Sequence, residues 1–296
     1  MVFHPPVAIV AKAGDAGKYK VGLAPWNMVL RGFLSGAYIA MGGALATVCS
    51  TGIVAAAPLN VGTASAGFGA LITGAVFPVG LIITVLTGAE LFTGDAMLAP
   101  MAAFIHKISW AQVMKLWVFV YIGNFIGSIV YAYIMAYGPF ISVNATTGAI
   151  TATAFGNRAI AIAAFKVQYV GMMGMWSAFL KAVGCNWLVN LAILLGICAD
   201  DLIGKFFGIW FPIMAFVSTG FEHSIANMYF IAAGIFTQPF ADQAVVKGYL
   251  GFQNLNWVGF WMNNMIIVTI GNIVGALFFV AVLYWVAFRK EIAALK

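Results

Sequence analysis

Charge is what this chain has least of. Only 7% of its 296 residues are Asp, Glu, Lys or Arg, whereas 64% are hydrophobic. A soluble domain carries about 25% charged residues, so the polar surface is too small to coat a water-soluble globule. That shortage excludes cytosolic enzymes and nucleic-acid binders, and it makes the solvent a bilayer. Cysteine is scarce as well. Cys49, Cys185 and Cys198 all lie in apolar runs, and an odd number so placed builds no disulfide framework. Histidine occurs only at positions 4, 106 and 223. The net charge of +6 is no nucleic-acid signal, because the cations cluster at the ends of apolar runs.

What remains is long apolar sequence. A helix crossing a ~30 Å hydrocarbon core needs about 20 mainly apolar residues. Six runs qualify, at roughly 33–57, 69–100, 112–137, 169–198, 205–238 and 258–288. Runs two and five also contain Gly, Pro and carboxylates. The head of the chain carries Lys12, Asp15, Lys18 and Lys20 and lacks the pattern of a cleavable signal. Its apolar stretch Val7–Ala13 reads as an interfacial helix at best. The sequence thus predicts one transmembrane domain over 1–296, with 1–31 a cytoplasmic N-terminal segment and 289–296 a cytoplasmic tail. With six spans both termini share a side. That side carries ten Lys and Arg and the other three, which places both termini in the cytoplasm and the protein in the cytoplasmic membrane.

The chain repeats itself. Thr87-Gly88-Ala89-Glu90 in span two recurs as Thr219-Gly220-Phe221-Glu222 in span five, and Phe77-Pro78 and Phe211-Pro212 precede the two copies. Downstream, Ile122-Gly123-Asn124 to Gly127 matches Ile270-Gly271-Asn272 to Gly275. Three spans per copy force the copies to enter the membrane from opposite sides. The expectation is an all-α membrane protein with an inverted 3+3 repeat, whose second and fifth helices break near the midplane at 88–95 and 217–224. Half-helices that start there would offer N–H groups and a partial positive charge to a small anion, and Thr93 and Ser224 would add hydroxyls.

Ionisable groups inside a membrane are functional candidates. His223 reads as a protonatable group on the path or as a neutral histidine tying its loop to a carbonyl, and the match between the two loops favours the path. A bare carboxylate would repel an anion, so Glu90 and Glu222 are expected to accept N–H groups of their loops and hold the breaks in shape. Asp95 is placed as the cap of the half-helix that follows. Lys181 suits interhelical pairing and anion attraction equally. Asn124 and Asn272, in Gly-x-x-x-Gly stretches, are expected to bridge helices or satisfy the loops. Phe77, Leu81, Leu91, Phe92 and Phe216 flank the breaks, either as packing or as rings that exclude water.

Thr87-Gly88-Ala89-Glu90-Leu91-Phe92-Thr93-Gly94 and Gly220-Phe221-Glu222-His223-Ser224-Ile225-Ala226-Asn227-Met228 resemble the two signatures of the formate/nitrite transporter family, and Cys185-Asn186-Trp187-Leu188-Val189 and Ile270-Gly271-Asn272 also look like it. The similarity runs through all six spans and is most like the formate transporters of methanogens. It implies an aquaporin-like fold, assembled as a homopentamer with one pore per protomer. It implies one constriction at Phe77 and Phe216 and another at Leu81, Leu91 and Phe92, with Thr93 and His223 facing the chamber between them. Asn186 and Asn272 match family asparagines on the substrate pathway. Many members carry a lysine where this chain has Val170; Lys166, one turn earlier, would serve that vestibule.

The expected activity is passive or proton-coupled passage of a small monovalent weak-acid anion, formate first, with protons and the bilayer as the other partners and no cofactor, metal or catalytic residue. Nitrite and hydrosulfide are related alternatives. A neutral-solute channel for water or ammonia is the first rival class. A haem-bearing membrane subunit is the second, and it lacks the paired axial ligands it would need.

Overall fold

In a computed structural model, residues 4–53 and 64–294 are described. The last four residues of the first predicted span, 54–57, lie outside them. Five helical stretches are long and apolar enough to cross a bilayer: Pro25–Ser50, Gly67–Thr87, Trp110–Tyr137, Gly171–Cys198 and Trp257–Ala294. The sixth crossing starts with the shorter Leu202–Ser218.

Helix α1 (Pro6–Val21) precedes α2 (Pro25–Ser50). The second crossing is α3 (Ala64–Val76), α4 (Val79–Thr87) and, after a break, α5 (Phe92–Phe104). Helix α6 (Trp110–Tyr137) returns and starts on a capping box between Ser109 and Gln112. A two-stranded hairpin, β1 (Ile141–Val143) with β2 (Ile150–Ala152), leads into α7 (Ala154–Lys166). Then follow α8 (Gly171–Cys198), α9 (Leu202–Ser218), a second break, α10 (Ser224–Thr237) and the C-terminal helix Trp257–Ala294.

The bilayer as solvent explains the outer surface. Met114, Val118, Ile122, Ile126, Val130, Tyr133 and Tyr137 recur every three or four residues along α6, and all are exposed. Such a stripe is stable against lipid or another apolar surface. The opposite, buried face of α6 carries Gly123 and Gly127. A Cβ on Gly32 would sit 2.8 Å from the Val120 carbonyl, and one on Gly123 2.9 Å from Gly32 Cα. The backbones of α2 and α6 therefore touch, as the Gly-x-x-x-Gly spacing foretold. Gly36→Val pushes against the Asn124 backbone. We expect it to lower the yield of folded protein severalfold, read by size-exclusion chromatography in detergent, because overpacking costs about 1–3 kcal/mol even where neighbours can shift.

Helix α1 is longer than the expected segment and packs on the bundle. Its Gly14 and Gly17 pack on Ile105, Leu98 and Ala102 of the α5 region, which buries Val10, Ala13 and Val21. Helix α7 occupies the matching place in the second half, with Ala159 and Ala163 against Gly234 of α10. Each repeat is thus four helices long: one helix lying against the break, then three crossings.

Candidate functional site

Both breaks are built alike. Helix α4 ends on Gly88 at φ 74°, and Gly220 stands after α9 at φ 72°. This left-handed conformation admits glycine without strain. One residue on, Ala89 N–H bonds the Thr84 carbonyl (3.0 Å) and Phe221 N–H the Phe216 carbonyl (3.1 Å). Next, Glu90 N–H reaches the Arg31 carbonyl of α2 (3.1 Å), as Glu222 N–H reaches that of Lys181 in α8 (3.4 Å).

The asparagines close each loop. Asn124 Oδ1 accepts Phe92 N–H (2.9 Å), while its Nδ2 donates to the carbonyls of Gly32 (2.8 Å) and Glu90 (2.9 Å). Asn272 does the same for Ser224 N–H (2.8 Å) and the carbonyls of Ala182 (2.8 Å) and Glu222 (2.9 Å). Asn124 stands midway along α6, so the breaks lie midway between the two ends of the bundle. The first N–H of each half-helix, that of Phe92 or Ser224, is therefore bonded to an asparagine.

The glutamates are held differently from the expectation. Neither carboxylate takes N–H groups of its own loop. Glu90 pairs with Lys20 of α1, and Arg31 lies 3.8 Å away. Glu222 is reached by Lys166 of α7 (2.9 Å), Tyr169 Oη (2.8 Å) and Asn227 Nδ2 (2.6 Å). Both carboxylates are almost fully buried, and a buried carboxylate needs a cation and hydrogen bonds together. Asp95 does not cap α5. Leu91 occupies the cap position, and Asp95 lies in the first turn, 2.9 Å from Lys20. Lys181 donates to Tyr169 Oη (3.1 Å) and lies over the Tyr169 ring. A π-helical stretch at Trp261–Met265 lets consecutive residues serve one partner: Asn263 and Asn264 donate to the Val167 and Lys166 carbonyls at the end of α7.

Two cavities approach the breaks from opposite ends of α2. One, about 130 Å³, is lined by Phe77, Phe216, His223, Arg158 and Lys166. The other, about 220 Å³, is lined by Leu81, Leu91, Lys20, Arg31, Glu90 and Asp95. Between them His223 Nε2 and Thr93 Oγ1 lie 2.9 Å apart, both buried. Phe77 and Phe216 meet edge to face at 5.8 Å, and the Phe216 ring stacks on His223 at 5.8 Å.

The structure therefore brings Phe77, Phe216, Thr93 and His223 together and puts Leu81 and Leu91 on the other cavity. Phe92 is turned away, packed edge-on against Tyr121 (4.9 Å) and Trp117 (6.0 Å). Asn186 and Asn272 stand behind the site. Asn186 Nδ2 donates to the carbonyls of Thr93 (3.0 Å) and Asn272 (2.7 Å). Asn190, one turn on, donates to the same Thr93 carbonyl at 3.1 Å. Sequence reasoning missed Asn190, although the spacing Asn186-x-x-x-Asn190 puts both on one helix face.

Inverted halves whose broken helices meet between two cation-bearing cavities define a membrane channel of aquaporin-like architecture. The chain belongs to the formate/nitrite transporter family: the family model described as "Formate/nitrite transporter" matches residues 7–286. It is 41% identical over 275 residues to a protein described as a probable formate transporter of Methanothermobacter thermautotrophicus, with 90% of each chain covered. It is 31% identical to the formate channel FocA of Escherichia coli K12, over 97% of this chain and 95% of that one. A solved structure described as a pentameric formate channel with formate bound superposes with a TM-score of 0.71 at 32% identity, covering 90% of this chain and 98% of the other. The chain is a multi-pass membrane transport protein.

Proposed function

We propose that this protein carries formate across the cytoplasmic membrane, as a homopentamer with one passage per protomer and both termini in the cytoplasm. The relatives named formate channels and the pentameric neighbour support that reading, as does the ten-to-three division of Lys and Arg. The observation that carries it is one hydrogen-bonded polar pair, Thr93–His223, set between apolar side chains with a cavity on either side.

The hydrogen bonds around His223 define its protonation. Its Nδ1 accepts Ala226 N–H at 3.0 Å and caps α10. A nitrogen that accepts carries no hydrogen, so in the neutral ring the hydrogen sits on Nε2, and this tautomer is inferred from the bonding pattern. Nε2–H then donates to Thr93 Oγ1, which leaves the Thr93 hydroxyl hydrogen for the solute. A carboxylate entering from either cavity exchanges water for that hydroxyl and must pass Phe77 and Phe216 or Leu81 and Leu91, where a bare charge is costly. Taking up a proton removes that cost, and the anion crosses as the neutral acid. An imidazolium would bear hydrogens on both nitrogens and face the Ala226 N–H, losing the cap. Proton delivery through water is therefore the favoured route, with direct donation by His223 costing the helix its cap.

In liposomes, His223→Phe is expected to cut formate flux at least about tenfold, since it leaves Thr93 without its partner in a dry site. His223→Asn can still donate to Thr93, so it should keep more flux than His223→Phe, and with the proton delivered through water its residual flux should follow the wild-type pH profile. Flux of wild-type size in both variants would sink the role given to His223, and a flattened pH profile in His223→Asn would assign the proton to the ring instead.

A further inference from the structure

The two cavities differ in uncommitted charge. On the side of Lys20, two cations (Lys20, Arg31) line the cavity with two carboxylates (Glu90, Asp95). On the other side the cations are Lys166 and Arg158, and Lys166 is already bound to Glu222. Among the described residues Arg158 makes one side-chain hydrogen bond, from Nε to Ser50 Oγ at 3.4 Å, and pairs with no carboxylate. The stretch 54–63 holds neither Asp nor Glu. The internal repeat makes the contrast sharper. Arg158 stands eight residues before Lys166, and Lys12 stands eight before Lys20. Lys12 is spent, 2.6 Å from His4 Nε2 and 3.9 Å from Asp200, while His4 is itself 2.8 Å from Asp200. Of two equivalent cations, one is neutralised and one faces a cavity.

We propose that Arg158 is a capture site for the carboxylate in the cavity that ends at Phe77 and Phe216, and that it gives this face of the passage the higher affinity. Ser50 holds the guanidinium by Nε, which leaves the two terminal nitrogens as a fork that matches a planar carboxylate or nitrite. The half-buried position of Arg158 reduces screening by water and salt. The anion then passes to Thr93 and His223. The partly spent Lys166 steers it without trapping it.

The inference rests on the transport reading and is tested beside it. Formate and nitrite flux into liposomes is started separately from each face, at several ionic strengths. R158Q should raise the half-saturation concentration from its own face roughly three- to tenfold, the size expected of a partly screened pair. Maximal flux from that face rises by the same factor, as detailed balance on a passive path requires, and the opposite face stays unchanged. R158K restores only part of the affinity, because an ammonium supplies the charge without the fork, and K12Q shifts neither face. Salt raises the wild-type value on the Arg158 face more steeply than that of R158Q, which keeps only Lys166 in that cavity. Equal half-saturation in R158Q and wild type overturns the inference alone, as do equal shifts on both faces or a K12Q effect of similar size. A wild type that carries neither anion removes the transport reading, and this inference with it.

Discussion

Lys166→Met should be among the most damaging single substitutions in the molecule. Glu222 is fully buried, and Lys166 is the cation that reaches its Oε1. Removing one member of a buried pair costs about 3–5 kcal/mol, because the remaining charge stays where water cannot solvate it. Tyr169, Asn227 and Asn264 continue to donate to the carboxylate, so the lower end of that range applies. For a chain of this size the loss corresponds to a fall in Tm of roughly 5 °C, measurable by thermal unfolding in detergent. Lys166→Met with Glu222→Gln should be more stable than Lys166→Met alone, because the orphan charge is gone. Losses that simply add would show that the pair contributes nothing as a pair.

Asn272→Leu should do comparable harm by another route. The substitution keeps the volume and removes three hydrogen bonds, leaving Ser224 N–H and the Glu222 carbonyl without these partners and the Ala182 carbonyl with its helical bond alone. A buried orphan costs about 1–3 kcal/mol, so a loss on the order of 4 kcal/mol is expected, with formate flux reduced to background. Asn124→Leu disturbs the equivalent loop by the same arithmetic. Its thermal shift should match, and its flux should fall less, because the loop it holds does not carry His223. Equal flux in both variants would mean that the asparagines act on the whole bundle and not on their own breaks.

The sequence showed the six crossings, the repeat and both breaks, because each leaves a local mark: an apolar run, Thr-Gly-x-Glu, Gly-Asn. It also showed Thr93 and His223, which sit inside those marks. The partners of Glu90 and Glu222 were not legible. Lys20 lies 70 residues from Glu90 and Lys166 56 from Glu222, and hydropathy reads runs along the chain, not contacts between distant parts of it. Helices α1 and α7 are too polar to register as crossings, so the repeat was read as three helices and not four. A usable signal was there, since Lys20 precedes Arg31 much as Lys166 precedes Lys181. Asp95 misled by residue type: it is a good capping residue placed four positions too late. Phe92 misled by adjacency, since neighbours on a helix point about 100° apart and Thr93 takes the inward direction.

Leu91 and His223 share one backbone shape, φ −116°, ψ 119° and φ −111°, ψ 116°, each as the residue that opens its half-helix. Two matching frames therefore meet in the middle of the bundle, one opening on leucine and the other on imidazole. The passage is thereby given a direction at its middle: a solute travelling one way meets leucine before imidazole, and a solute travelling the other way meets them in reverse.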